Sequence, residues 1–152
     1  MTLEKELAAL RGVSAPASVR SRALLATGTA DAYFPLETPL GRLFVAYNPH
    51  GIAAVNYGRS AADFEQRYRA ESGRAVVAVG EPPADLVGTL REWLAGDRRH
   101  KLRFDLRRLT EFERAVLLKA LDIPPGQVRP YGWIAREIGH PKAVRAVGTA
   151  LA

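Results

Sequence analysis

Apolar and polar positions follow two different rhythms along this chain. Residues 32 to 57 hold three short stretches rich in Phe, Tyr, Val and Leu, namely Ala32 to Glu37, Arg42 to Tyr47 and Ile52 to Tyr57. They are separated by the turn-forming runs Thr38-Pro39-Leu40-Gly41 and Asn48-Pro49-His50-Gly51. The pattern predicts an antiparallel meander, and Pro35, which has no N–H to donate, marks its first strand as an edge. Ahead of it, Leu3, Leu7 and Leu10 fall at helical spacing behind Thr2 and predict a short helix, whereas Val13 to Leu25 has no clean period and reads as a lead-in. Behind it, Ser60 with Asp63 predicts a helix start, Gly73 its stop, and Ala75 to Val79 another strand. Pro82-Pro83 opens a helix over Ala84 to Ala95, with Leu86, Leu90, Trp93 and Leu94 on one face and Gly96 as its stop. Leu102 to Leu106 alternates like a half-buried strand.

Beyond Leu106 the strand rhythm ends. Thr110 with Glu113 forms a capping box that opens a helix through about Leu121, with Phe112, Ala115 and Val116 on one face. Pro124-Pro125-Gly126 breaks it. Tyr131 to Ile138 predicts a short helix ended by Gly139, and His140-Pro141 restarts a helix with proline at its first position, continuing from Lys142 to the end of the chain. Helix, short glycine-containing turn, helix is the helix-turn-helix pattern. The expected organisation is therefore an α/β domain over 1–106, with 1–30 as a helical lead-in, and a helical domain over 107–152. No internal repeat or low-complexity tract interrupts it.

Composition adds limits. With 152 residues, 47% hydrophobic and 25% charged, the chain can bury a core, and no apolar run approaches the roughly 18 to 20 residues of a membrane span. The segment MTLEKELAAL is charged where a signal peptide would be apolar, so a soluble, unexported, cytoplasmic protein with no membrane partner is expected. There is no cysteine, which removes disulfides, Cys-ligated zinc and thiol nucleophiles together. The net charge of +6 is local: residues 1–90 carry 9 basic and 9 acidic side chains, and residues 91–152 carry 13 and 7. A basic C-terminal part fits either a polyanion-binding face or a merely solvated one.

Catalytic constellations are not self-evident. His50, His100 and His140 lie in a turn, a basic loop and a helix start, without metal-ligand spacing. The glycines form neither a phosphate-cradling loop nor a dinucleotide fingerprint, and no nucleophile elbow surrounds Ser60 or Ser72. The informative blocks are Gly126-Gln127-Val128-Arg129-Pro130-Tyr131 and Pro141-Lys142-Ala143-Val144-Arg145-Ala146-Val147-Gly148. They place an aromatic hydroxyl at the start of one helix and Lys142 and Arg145, three apart, on one face of the next. Ala143, Ala146, Gly148 and Ala150 keep that second helix small. Such a surface lets a backbone approach a nucleic-acid groove, with the two cations reaching phosphate or base. The same residues also suit tight helix packing, with Arg145 as a solvated charge and Tyr131 at the edge of a core. Trp133 and Ile134 are expected in the core.

These two blocks resemble the DNA-binding domain of the methylated-DNA:protein-cysteine methyltransferases, which repair alkylated guanine by direct transfer. The likeness is strong from Phe112 to Ala150 and weaker upstream, where Thr38-Pro39-Leu40-Gly41 is similar to the family's N-terminal hairpin turn. It implies a ribonuclease-H-like α/β domain followed by a small all-α, winged-helix-like helix-turn-helix domain. It also implies a target base flipped out of duplex DNA into a pocket, where a cysteine takes the alkyl group once. By position, Tyr131 resembles the tyrosine that crowds the target phosphate and drives rotation. Arg145 resembles the arginine that enters the stack in place of the base, a role suited to a planar guanidinium. Lys142 resembles a phosphate contact, and Ala143, Ala146 and Gly148 the close-approach surface. The implied partner is double-stranded DNA with alkylated guanine, bound by a nucleoid-associated monomer with no cofactor and no metal.

The departure from the family pattern is the missing Pro-Cys-His-Arg motif, with the nucleophile expected beyond Ala152. Thr149 to Ala152 is still helical in character, without a stop signal, so the helical domain is expected to be incomplete at its C-terminus and the chain inactive alone. Two alternatives use the same residues. One is a non-catalytic alkyltransferase-like lesion binder with another residue in place of cysteine. The other is a helix-turn-helix regulator, which would prefer particular bases in undamaged DNA.

Overall fold

The computed structural model describes residues 16–151, so the helix expected over Leu3 to Leu10 lies outside the described residues. By its internal contacts the chain forms two units, Met1–Pro82 and Pro83–Ala152.

The first unit opens with helix α1 (Ala17–Ala26), in the segment expected to be an aperiodic lead-in. None of its residues is buried, so no apolar stripe was there to be read. Strands β1 (Ala30–Thr38), β2 (Gly41–Asn48) and β3 (Gly51–Tyr57) follow, then helix α2 (Ala61–Ser72) and strand β4 (Ala75–Ala78). The sheet order is β3-β2-β1-β4, with antiparallel β1–β2 and β2–β3 pairs and a parallel β1–β4 pair. The meander is therefore present inside a mixed sheet. Its first strand is not the edge that Pro35 suggested, because β4 pairs with Ala30 to Tyr33 on the other side of β1. Pro35 lies just past that pairing and faces Phe44 of β2, so proline sits where one flank of a central strand is open.

Burial along β1 explains its position. Ala30 to Phe34 are buried without alternation, the signature of a strand covered on both faces. Tyr33, Phe44, Phe64 and Tyr68 form an aromatic cluster with Ala46 and Val76 under α2, with the Phe44 and Phe64 rings stacked at 5.2 Å. Ser60 caps α2, its Oγ accepting from the Asp63 N–H at 3.1 Å. Within this core lies Asp31, 1% exposed. Arg74 grips it with a fork, Nη2 to Oδ1 at 2.8 Å and Nε to Oδ2 at 3.0 Å, while Asn48 and the Tyr68 hydroxyl also donate to it. Burial alone would push the Asp31 carboxyl up, but these donors outweigh it and hold the group below its ordinary range.

The second unit is helical: α3 (Ala84–Leu94), α4 (Glu111–Leu121), α5 (Tyr131–Glu137) and α6 (Val144–Leu151). Leu90 is the buried residue of α3, and Leu94, expected on the same face, is 52% exposed. The strand expected over Leu102 to Leu106 is not formed; a single bridge at Phe104 stands in its place. The alternation there reflects Phe104 packing edge-on against Trp93, with ring centroids 5.9 Å apart, instead of a ladder. The unit begins at Pro83, ahead of the boundary expected near Leu106, because the segment between α3 and α4 is bound into it. Arg98 stacks over Trp93 and donates to the carbonyls of Leu121 and Ile123, and Arg114 donates to that of Leu106.

Candidate nucleic-acid interface

The capping box fixes the start of α4. Thr110 Oγ1 accepts from the Glu113 N–H at 3.2 Å, and the Glu113 carboxylate accepts from the Thr110 N–H at 2.8 Å. From this start, Val116 is carried into a core with Ile134 and Ala135 of α5 and Val147 of α6, each no more than 2% exposed. Phe112, Ala120, Ile123, Trp133, Ile138, Ala150 and Leu151 pack around it. The expected core roles of Ile134 and Trp133 both hold, and the Trp133 ring also carries the Lys119 ammonium at 5.5 Å and the Arg129 guanidinium at 5.8 Å.

Gly139 makes the turn between α5 and α6. Its φ of 78° lets its N–H bond the Arg136 carbonyl while the His140 N–H reaches that of Ala135 at 2.8 Å, closing the helix end as a Schellman motif. The chain then runs through a turn in which the Ala143 N–H bonds the His140 carbonyl at 2.9 Å, and α6 begins only at Val144. This corrects the expected restart at Pro141-Lys142. Lys142 lies in the turn, so it and Arg145 do not share a helix face. Proline and lysine are held by the His140 to Ala143 turn, which takes the place of a first helical turn.

Tyr131, Lys142, Arg145 and Ala146 are exposed, Tyr131 by 50%, while Ala143 and Gly148 are half-buried. Tyr131 opens α5, directly after Pro130, and its ring lies over Gly148 of α6. Arg145 stands on α6 one turn before Gly148. Among the described residues the side chains of Lys142 and Arg145 make no hydrogen bond or ion pair, and neither does Arg136 on α5. Elsewhere in the unit some cations are paired, whereas Arg91, Lys101, Arg103 and Arg108 also make no hydrogen bond or ion pair among the described residues. Arg99 pairs with Asp97, Arg107 with Asp105, and Lys119 with Asp122 and Glu137, which hold its ammonium pKa up. The unpaired part of the basic excess therefore includes Arg136, Lys142 and Arg145 at the helix-turn-helix but is not confined to it. Arg136 was not singled out by sequence, since a lone arginine between Ala135 and Glu137 carries no motif. Val128, within the first informative block, is 88% exposed in the loop before α5.

A family profile for the DNA-binding domain of 6-O-methylguanine DNA methyltransferase matches residues 111–152, which include all six predicted site residues. A methylated-DNA–protein-cysteine methyltransferase from Methanosarcina acetivorans is 31% identical over 121 residues, covering 78% of this chain and 72% of that protein. This chain belongs to the methylated-DNA–protein-cysteine methyltransferase family. The family relative from Mycobacterium leprae is 33% identical over 118 residues, covering 76% of this chain and 66% of its own length. Among solved structures, the Mycobacterium tuberculosis OGT in complex with DNA matches with a TM-score of 0.60 and 28% identity, over 78% of this chain and 68% of that one. The methyltransferase family thus accounts for both the mixed sheet with helices and the helical unit. No cysteine occurs in the 152 residues, so they hold no thiol to accept an alkyl group.

Proposed function

We propose that this chain is the lesion-recognition part of a direct-reversal repair methyltransferase, and that its helix-turn-helix over 107–152 binds double-stranded DNA carrying an alkylated guanine. Residues 83–106 serve as packing support for that domain. The observation that carries the reading is the joint placement of an exposed Tyr131 and an unpaired Arg145 across one helix-turn-helix, with small residues between them.

The physical logic follows from those side chains. Lys142 and the turn backbone position the protein through phosphate contacts, which carry no sequence information. Half-buried Ala143, exposed Ala146 and Gly148 let the backbone of α6 come close to the groove floor. Tyr131 presses on the phosphate of the target nucleotide, and rotation of that nucleotide costs a few kcal/mol, least for a damaged pair. Arg145 offsets this by donating to the orphaned partner base and by stacking in the vacated space, the stacking being worth about 2 kcal/mol when desolvated. The alkyl group then passes from the guanine oxygen to a cysteine thiolate in the parent reaction, without cofactor. The 152 residues stop short of that step chemically, because none of them is a cysteine. The α/β unit is read as ribonuclease-H-like and the helical unit as winged-helix-like, in a monomer that works in the cytoplasm on nucleoid DNA.

Binding of the 152-residue chain to a duplex with a single O6-methylguanine, against the same duplex undamaged, tests this. Preference for the lesion with little dependence on flanking sequence is expected, and Arg145→Ala should abolish the preference. Tight binding to particular undamaged sequences would favour a regulator instead. Transfer of label from methylated DNA to this chain would contradict its assignment as inactive alone.

A further inference from the structure

We infer that Gly148 is a positioning residue that sets the spacing between Tyr131 and Arg145, by giving the tyrosine ring a seat that a Cβ would crowd. This rests on the lesion-binding reading above and adds the element that makes the two side chains act together.

A Cβ built on Gly148 would lie 3.2 Å from Tyr131 Cε2 and 3.3 Å from Cδ2, closer than ordinary van der Waals contact. The ring therefore rests on the bare backbone of α6. On the other side of the helix pair, a Cβ on Gly132 would reach Val144 Cγ2 only at 3.8 Å, an ordinary contact, so the close approach is concentrated at the Tyr131 ring. Helix propensity argues against glycine at Gly148, which lies inside an eight-residue helix where alanine would be favoured. The cost is accepted at a place where a ring occupies part of the space a methyl group would take. Because Arg145 and Gly148 are three residues apart, they lie on the same face of α6. The ring that sits on Gly148 is thus held one helical turn from the arginine. The surrounding core is rigid: Ala135 and Val147 are fully buried on either side of the turn, so α5 and α6 cannot drift apart to restore the contact. A methyl group at this position makes the half-exposed tyrosine ring give by a few tenths of an ångström, and that shift alters its placement relative to the arginine finger.

The test is a double-mutant cycle on the 152-residue chain with Gly148→Ala and Tyr131→Ala, read by affinity for an O6-methylguanine duplex and by fluorescence of a 2-aminopurine placed beside the lesion. Gly148→Ala is expected to weaken lesion binding by about five- to tenfold, within the usual coupling of touching residues, and to lower the flipping signal. Its thermal midpoint should be unchanged or higher, a combination that a merely structural glycine would not give. In the Tyr131→Ala background, Gly148→Ala should have almost no further effect. If the two effects simply add, or if Gly148→Ala leaves binding intact while Tyr131→Ala impairs it, the positioning role is overturned and the lesion-binding reading stands. If Tyr131→Ala itself changes nothing, both fall. Should Gly148→Ala fail to fold, recovery of folding in the double variant would support the seat, and failure of both would overturn it.

Discussion

Asp31 in the sheet unit is buried beneath aromatic rings and held by Arg74, Tyr68 and Asn48, whereas Arg145 and Lys142 in the helical unit stand in solvent without partners among the described residues. The central helical core of Val116, Ile134, Ala135 and Val147 contains no side-chain polar atom. The contrast separates two uses of charge. In the sheet unit a charge is consumed internally, where it fixes the alignment of β1, β2, α2 and the segment before β4. In the helical unit the core around Val116 is apolar; Asp105 there is also buried and held by Arg107, but Lys142 and Arg145 at the helix-turn-helix stand in solvent.

Arg74→Ala tests the first half most severely. Removing one member of a buried pair leaves an uncompensated carboxylate and should cost about 3 to 5 kcal/mol in chemical denaturation, with DNA affinity of the folded fraction unchanged. Loss of DNA binding in the still-folded protein would blur the contrast. Ile134→Ala is the matching change in the helical core, expected to cost about 2 to 5 kcal/mol. Unlike Arg74→Ala it should also weaken lesion binding, because it loosens the seat of α5 and α6.

Acid sharpens the contrast further. The Asp31 carboxyl lies below its ordinary value of about 3.9, so its stabilisation is complete above that value and is lost as the pH falls through the lower, folded-state one. Thermal midpoints measured between neutral pH and strong acid should fall in that window, and Asp31→Asn should flatten the decline at the cost of lower stability at neutral pH. Thr110→Ala, which removes one arm of the capping box, should cost about 1 kcal/mol and shift the helical unit alone. Smallest in stability is Lys142→Ala, expected within about 0.5 kcal/mol of the parent. Its effect should appear instead as a loss of about 0.9 in the slope of log affinity against log salt.

Legibility in the sequence followed the range of the interaction. The Ser60 cap, the Thr110–Glu113 capping box, the hairpin turns and the glycine stops are local, and each stands where its residues predicted. So do Tyr131 and Arg145 at the helix-turn-helix. The parallel partner of β1 was hidden because β4 is only four residues long and joins the sheet across an intervening helix. Helix α1 was hidden because it buries nothing. The late start of α6 depends on a turn at His140 to Ala143 that competes with the helix start proline favours. The grip of Arg74 on Asp31 spans 43 positions, and no periodicity marks it. The contact of Tyr131 with Gly148 is likewise tertiary: sequence supplied both residues and not their touching.

Arg98 also bears on how the molecule can be cut. Its guanidinium lies 4.9 Å from the Trp93 ring and donates to the Leu121 and Ile123 carbonyls at 2.9 and 3.3 Å, tying the end of α3 to the end of α4. A fragment begun at residue 107 would keep every side chain proposed to touch DNA and lose the strap that closes the last turn of α4. A fragment begun at Pro83, where the internal contacts divide, would keep both that strap and those side chains.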